Sequence, residues 1–598
     1  MLATLAILLG SILVQSPADQ KAPAPQQPPR QAGSGQKTAD WRTDWSVDEG
    51  FALSVDASGF RFPTSIAVVP EPGPGPDAPL YFVAELGGNI KVVTRDHQVH
   101  PFVTDVFKRQ VARELPDEAG GSGMAGLCLA PAQGLVFATY GYRDQTGTFR
   151  NAIIRFESDP VHFGLAAKSE HVIAAITQRF RGAPSHQIGT CAVEGPFLYV
   201  GIGDGMQPAD SRNPSMLLGK ILRMTLDGRP APGNPLAVAD TSDARNYVYA
   251  LGLRNPFAVQ AVHGHVLVGD NGPSVDRFLD VAPGADYLWD GSDWSMATNT
   301  AAVFVPSPAP VQMAYAPASD TGLPAALRGR FFVAMAGLES SVGPPTRKGA
   351  RGIVVLNYDL DKKRMLEVPR SIFRYRGAGH QSVVGVAVAS QGLYVVPLFP
   401  DVSGASSVLH LTYDPEHQHP YLVLEGLTGW DLILERGCIG CHAYADRRLG
   451  TTGPALDQDS LVQRLTQRLA SPAYASAVAE LDKREDEPYR SFRAARHAVL
   501  ASTGAERLKL WIRYRIEEPR FDNPNSLMPN LRVPAGEAEN IASFLVSGSL
   551  AKPPSRWEQL RERFVSRRAA YAVAVFLGGV ILGFGLASLQ RRSRRQPA

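Results

Sequence analysis

The sequence predicts a six-bladed all-β propeller, followed by a small all-α domain and a single C-terminal transmembrane helix. Three observations predict it. A strand–turn–strand phrase recurs six times, about sixty residues apart, between residues 41 and 415, a period that suits four-stranded blades with decorated loops. Helical patterning replaces it over residues 425–550, around two cysteines three positions apart. Residues 569–589 form an uncharged apolar run, long enough for a bilayer-crossing helix of about 20 residues. With 598 residues, one hydrophobic core cannot serve the whole chain.

The elements follow in order. Residues 1–18 read as a signal segment, because Leu2 to Val14 is an apolar run of secretory length. Residues 19–40 read as a disordered linker, since Pro17 to Lys37 is rich in Pro, Gln, Ala, Gly and Ser and has little apolar surface to bury. The repeating phrases are Ser65–Val69 with Leu80–Val83, Gly126–Leu129 with Leu135–Ala138, and Thr190–Val193 with Phe197–Val200. Then come Phe257–Val259 with His265–Val268, the lone Arg330–Val333, and Gly385–Val388 with Leu393–Val395. Their aromatic and β-branched content marks strands, and a β-sandwich would not need so many regular repeats. A net charge of +3 with 20% charged residues gives no reason to expect a nucleic-acid partner.

Within the propeller four pieces stand out: Ser185–Gly189 (SHQIG), Gly201–Gly205 (GIGDG), Gly252–Phe257 (GLRNPF) and Gly269–Asp276 (GDNGPSVD). Similar pieces flank them at Gly123–Leu127 and Gly284–Trp289. In order and spacing they resemble the soluble quinoprotein sugar dehydrogenases, the glucose, aldose and sorbosone dehydrogenases that use pyrroloquinoline quinone. The resemblance covers nearly all of Phe51 to Pro415. It implies that His186 takes the proton of a substrate hydroxyl, with Asp204 supporting it, a role that suits a side chain titrating near neutrality. It further implies that Arg254 and Asn255 bind the quinone, Arg254 stabilising charge on its reduced form. The quinone would chelate Ca²⁺ held by the carbonyls of Gly272 and Pro273, with Asp276 in a neighbouring calcium site. The sequence departs from the family at Ser185, where members carry aspartate, and at the cationic partners of the quinone carboxylates. Lys348, with Arg347 and Arg351, is the candidate substitute.

Downstream, Cys438-Ile439-Gly440-Cys441-His442 asks for a covalent cofactor. Two thiols at this spacing can add to the vinyl groups of a haem, and the adjacent histidine can ligate its iron. Zinc would want a second ligand pair, and Cys128 and Cys191 lie far upstream. Whether those two pair with each other stays open at this level. Met528, on the Pro-bracketed loop Ser526–Leu531, is the candidate sixth ligand, and Glu537–Leu545 reads as a closing amphipathic helix. With the Gly453–Leu456 loop, these features resemble a class I cytochrome c, in which Cys438 and Cys441 hold the haem covalently and His442 and Met528 are the axial ligands.

The apolar run 569–589 is preceded by Arg567-Arg568 and followed by four arginines in the tail 590–598. The denser basic side stays cytoplasmic, which leaves the body on the outer side of the membrane. Gly579 and Gly583 offer a small-xxx-small contact through which such a helix could form a homodimer. The expectation is a single-pass protein of a bacterial inner membrane with its main body periplasmic. It would oxidise a sugar or other alcohol or aldehyde with pyrroloquinoline quinone and pass electrons through haem c to a respiratory acceptor. Fusion would hold donor and acceptor at high effective concentration. The competing expectation is an electron-transfer cytochrome whose propeller is a non-catalytic ligand- or protein-binding module.

Overall fold

The computed structural model describes residues 40–107, 122–144, 146–177, 185–305, 307–319, 322–337, 351–377, 381–419, 429–444 and 453–547. The signal segment, nearly all of the linker, Lys348, the apolar run 569–589 and the tail lie outside the described residues. Among the described residues, no helix is long and apolar enough to cross a membrane. The chain divides into two compact units, a propeller and a helical domain, changing near residue 422.

Six antiparallel sheets make the propeller. From innermost to outermost strand, blade 1 is Pro63–Val68, Pro79–Glu85, Ile90–Thr94 and Val99–Val103, and blade 2 is Gly123–Ala130, Leu135–Arg143, Phe149–Glu157 and Ser169–Thr177. Blade 3 is Ile188–Glu194, Phe197–Ile202, Lys220–Thr225 and Val248–Ala250, and blade 4 is Pro256–Val262, His265–Asp270, Asp276–Asp280 and Ala302–Phe304. Blade 5 runs Pro310–Tyr315, Phe331–Met335, Gly352–Leu356 and Arg370–Tyr375, and blade 6 runs Val383–Ala389, Gly392–Pro397 and Ser406–Tyr413. The repeating phrases of the sequence are the inner two strands of each blade. The lone fifth phrase has a partner after all, Pro310–Tyr315, whose proline at the strand start blurs the pattern.

The chain's N-terminal strands complete the last two blades. Phe51–Phe60 pairs with Ser406–Tyr413 as the outer strand of blade 6, and Trp45–Val47 pairs with Arg370–Tyr375 as a fifth strand of blade 5. The ring is thus closed by strands from both ends of the propeller segment. Burial explains the composition of the blades. Second strands such as Leu135–Arg143 and Gly392–Pro397 are buried on both faces between neighbouring sheets and are almost wholly apolar. The outer strand Phe51–Phe60 alternates buried and exposed positions, as one half-solvated face requires.

Polar side chains stitch the crowded inner strands. Ser65 Oγ accepts from Leu127 N–H at 3.1 Å, Thr139 Oγ donates to Gly189 C=O at 2.7 Å, and Thr190 Oγ donates to Phe257 C=O at 2.9 Å. The buried Gln312 amide accepts from Ile66 N–H at 3.2 Å and donates to Ile66 C=O at 2.7 Å, tying blade 5 to blade 1. Each link satisfies a backbone group that the ring buries. Cys128 and Cys191, on the innermost strands of blades 2 and 3, form a disulfide with Cα atoms 5.7 Å apart.

In the helical domain, helix Gly429–Glu435 leads into the turn Cys438–Gly440, and helices Gln458–Ala470, Pro472–Leu481, Arg493–Ala501, Gly504–Glu517 and Ala535–Ser547 follow. The first and last of them cross closely. A Cβ on Gly429 would stand 2.1 Å from Phe544 Cβ, so only glycine permits the approach. Arg436 clamps Glu537 with two bonds of 2.7 Å at the same crossing. Leu432, Ile433, Leu461, Trp511, Ile541 and Leu545 belong to one buried core.

Candidate functional site

Blade 3 and blade 4 supply the propeller site. The loop before blade 3 carries His186 with a φ of 52°, a left-handed conformation that costs a non-glycine residue about 1–2 kcal/mol. The neighbouring chain accommodates it: a Cβ at Gly203 would lie 2.4 Å from the His186 carbonyl oxygen, so glycine alone lets the two segments pass. Gly205 N–H then binds that same carbonyl at 3.2 Å, and Gly203 N–H binds Gln187 C=O at 3.0 Å. Gln187 is itself fixed by Asn151, whose Nδ2 donates to its Oε1 at 3.0 Å.

This backbone arrangement presents a histidine–aspartate couple. His186 Nδ1 lies 2.6 Å from Asp204 Oδ1. A carboxylate only accepts, so Nδ1 carries the proton and Nε2 holds the lone pair. Among the described residues, Nε2 makes no hydrogen bond. Asp204 is 1% exposed, and its other oxygen accepts from Trp289 Nε1 at 2.7 Å. Burial and the Arg254 charge pull the His186 pKa below its ordinary value, against the opposing pull of Asp204. The imidazole is therefore neutral at neutral pH and suited to accept a proton. Desolvation raises the Asp204 pKa, but its bonds to His186 and Trp289 and the Arg254 charge outweigh it and hold the carboxyl below its ordinary value.

Arg254 joins this couple through both backbone and side chain. Its carbonyl accepts from Asp204 N–H at 2.7 Å, and its Nη1 donates to Asn271 C=O at 2.6 Å. The guanidinium lies 5.7 Å from the centre of the Trp289 ring. Among the described residues it forms no ion pair, which leaves a charged donor free for an anionic ligand. Asn255 and Asn271 each keep a buried Oδ1 without a partner among the described residues. Asp270, fully buried, accepts from Asn255 N–H at 2.7 Å and from Arg277 Nε at 2.9 Å. Arg277, equally buried, reaches on to Gly252, Tyr287 and Ser295 carbonyls. This ion pair builds the Gly252–Phe257 loop from beneath.

Asp276 has a defined task in the Gly272–Asp276 loop. Its carboxylate accepts from Gly272 N–H at 2.7 Å, Ala309 N–H at 2.6 Å and the Ser307 hydroxyl, and burial pushes its pKa up to about 7. It folds the loop that carries the Gly272 and Pro273 carbonyls. Among the described residues, no cluster of three or more His, Cys, Asp or Glu side chains could hold a metal, so a calcium ion here would rely on backbone carbonyls and on oxygens of a bound ligand. The unsatisfied asparagine oxygens and the unpaired guanidinium fit a polyanionic quinone with its cation.

The structure thus brings together His186, Asp204, Arg254, Asn255, Gly272, Pro273 and Asp276, while Lys348 lies outside the described residues. Sequence reasoning gave no role to Trp289, Asp270, Arg277 or Lys220. Trp289 and Asp270 sit inside motifs already singled out, but Trp289 meets Asp204 from 85 positions away and the bonds of Asp270 to Asn255 and Arg277 form only in the folded loop. Lys220 is fully buried, and its Nζ donates to the carbonyls of Ser211 and Leu218, each at 2.5 Å, and of Asp210 at 3.3 Å. Burial lowers its pKa to about 7.

The helical domain presents the second constellation. His442 Nδ1 lies 2.7 Å from the Pro454 carbonyl oxygen and must donate to it, leaving Nε2 for a metal. A Cβ on Gly453 would fall 2.5 Å from the imidazole, so this glycine forms one wall of the ring's slot. Cys438 and Cys441 flank the same turn, and neither is in a disulfide. Burial pushes the Cys438 thiol up to about 12. Met528 is half-buried on the loop before helix Ala535–Ser547. A fixed imidazole tautomer, two thiols beside it and a loop methionine fit a covalent haem.

Comparison with known proteins bears on the propeller. Residues 62–318 match the family model described as Glucose / Sorbosone dehydrogenase. Among solved structures, a putative oxidoreductase (glucose dehydrogenase) from Thermus thermophilus is 24% identical, with 60% of this chain and 99% of that one covered at a TM-score of 0.45. The soluble aldose sugar dehydrogenase of Escherichia coli, in its apo form, is 15% identical (61% and 99% covered, TM-score 0.46). The PQQ-bound aldose sugar dehydrogenase of Streptomyces coelicolor is 21% identical (61% and 99% covered, TM-score 0.43). No curated protein matches the chain.

Proposed function

We propose that the propeller oxidises a sugar or related alcohol with pyrroloquinoline quinone, and that the helical domain is a class I cytochrome c that carries the electrons onward. The observation that carries the proposal is the His186–Asp204–Trp289 chain beside an unpaired Arg254, on a propeller whose residues 62–318 match the Glucose / Sorbosone dehydrogenase family. The propeller is accordingly the oxidoreductase part of the chain.

His186 Nε2 accepts the proton of the substrate hydroxyl as the carbinol carbon is oxidised. Asp204, hydrogen-bonded to Nδ1–H, holds the ring in that tautomer and stabilises the imidazolium that forms. Trp289 fixes Asp204 from the far side, so the couple is oriented before substrate arrives. Arg254 and Asn255 would hold the quinone, and the Gly272 and Pro273 carbonyls its calcium ion. The bound quinone supplies the acceptor for the hydride. Cys438 and Cys441 would hold haem covalently, His442 and Met528 would bind its iron, and the haem would supply a one-electron carrier.

The placement of the body in the periplasm, tethered by residues 569–589, belongs to the same proposal. The Cys128–Cys191 disulfide supports it, because such bonds persist in oxidising compartments. The test is steady-state dye reduction by protein loaded with the quinone and Ca²⁺, using a panel of aldoses and alcohols. Substrate-dependent reduction that His186→Ala abolishes is expected. Activity that survives H186A, or no activity with any substrate, would overturn the dehydrogenase reading.

A further inference from the structure

Lys220 is the buried cation that the chemistry above does not use. It lies on the third strand of blade 3 opposite Ile202, one residue before the Gly203–Asp204 turn. Its ammonium meets three backbone carbonyls, those of Asp210, Ser211 and Leu218, and among the described residues it touches no carboxylate. The carboxylates of Asp286 and Asp210 act on it through space. A cation surrounded by carbonyl oxygens is what a structural metal ion would provide in such a place.

The carbonyls it binds belong to segments that lead into the site. Ser211 C=O also accepts from Gly252 N–H at 2.8 Å, two residues before Arg254. Ser211 Oγ reaches Trp289 C=O at 3.3 Å, and Trp289 is the residue that anchors Asp204. Beside Leu218, Gly219 N–H binds Gly203 C=O at 3.1 Å, and Leu253 N–H binds Gly219 C=O at 3.1 Å. The segments carrying Asp204, Arg254 and Trp289 therefore all meet around one ammonium.

We propose that Lys220 is a positioning residue of the propeller site: its ammonium serves as an internal substitute for a metal ion, locking together the backbone segments that carry Asp204, Arg254 and Trp289. Its importance for turnover rests on the dehydrogenase reading, whereas its hold on these segments does not. A misplacement of about 1 Å at a reacting pair lowers a rate about 100-fold, so the lock has a kinetic consequence without any contact between Lys220 and substrate.

The test uses full-length Lys220→Met, which keeps the side chain's length and removes the charge. Amide hydrogen exchange at pH 6, where the wild-type lysine is charged, is followed by mass spectrometry on the cofactor-free protein. At least tenfold loss of protection in peptides spanning 202–219 and 250–256 is expected, with blade 1 peptides unchanged within threefold. In the loaded enzyme, kcat should fall about 100-fold with KM within threefold. Unchanged protection at 202–219 and 250–256, or an equal loss in every blade, overturns the proposal. So does a local loss of protection with kcat intact in an active wild-type background. If the wild type shows no substrate-dependent turnover, the dehydrogenase reading fails and the exchange result alone decides whether Lys220 locks the loops. Should K220M fail to fold, Lys220→Gln, which retains two donors, takes its place with the same readouts.

Discussion

At the residue scale the account turns on one imidazole, whose proton affinity is set by opposing neighbours. Burial and Arg254 lower the His186 pKa, while Asp204 raises it. In the proposed mechanism the neutral ring is the base, so kcat/KM falls as pH drops through this lowered value. The acid limb of the pH–rate profile is therefore expected below the ordinary histidine value of about 6.5. Asp204→Asn removes the charge that favours the imidazolium, so the limb should move lower still, while kcat falls by about 100-fold or more as the ring loses its orientation. A limb that stays fixed or rises in D204N would mean that another group titrates. The sequence points to His186, Asp204, Arg254 and Asn255 through the family resemblance of the short motifs that contain them, and the structure places them around the Gly203–Asp204 turn and the Gly252–Phe257 loop. Trp289 and the Asp270–Arg277 pair were not assigned roles, since their significance lies in contacts spanning up to 85 positions, which no local pattern encodes. The resemblance places Asp276 in a calcium site, and in the structure its carboxylate accepts from Gly272, Ser307 and Ala309, contacts visible only once the loop is folded.

At the element scale, the site lies on loops between strands, each tied down by bonds to buried side chains. The disulfide between the inner strands of blades 2 and 3 closes a segment of 63 residues, for which chain-entropy reasoning gives a stabilisation of about 4 kcal/mol. Cys128→Ala with Cys191→Ala should lower the urea-unfolding free energy of the propeller by an amount of that order. A change under about 0.5 kcal/mol would show that the ring's packing makes the bond redundant. In the helical domain, Gly453→Ala drives a Cβ into the His442 ring, and loss of the low-spin haem spectrum is the expected result. Met528→Ala should leave the haem covalently attached yet lower its potential and remove the sulfur-to-iron charge-transfer band. An unaltered spectrum in M528A would assign the sixth ligand elsewhere. The inner strand pairs of five blades are readable from runs rich in β-branched and aromatic residues, whereas blade 5 shows only its second strand because Pro310 opens the first. The closing strands Trp45–Val47 and Phe51–Phe60 carried the same local signal, but nothing in the sequence says that they pair with strands more than 300 residues away.

At the scale of the whole molecule, the proposed function makes the propeller an electron donor and the helical domain its acceptor within one chain. The propeller needs an acceptor that a two-electron oxidation can feed, and a covalently held, tethered carrier is not diluted by diffusion. The measurement that tests this most directly is the reduced-minus-oxidised visible spectrum of the full-length protein, matured with haem and loaded with pyrroloquinoline quinone and Ca²⁺, as aldoses and alcohols are added. The account predicts that at least one substrate reduces the haem, and that H186A abolishes this reduction while dithionite still gives the full reduced spectrum. A haem that dithionite reduces but no substrate does, in protein that retains no quinone, would contradict it and make the propeller a binding module.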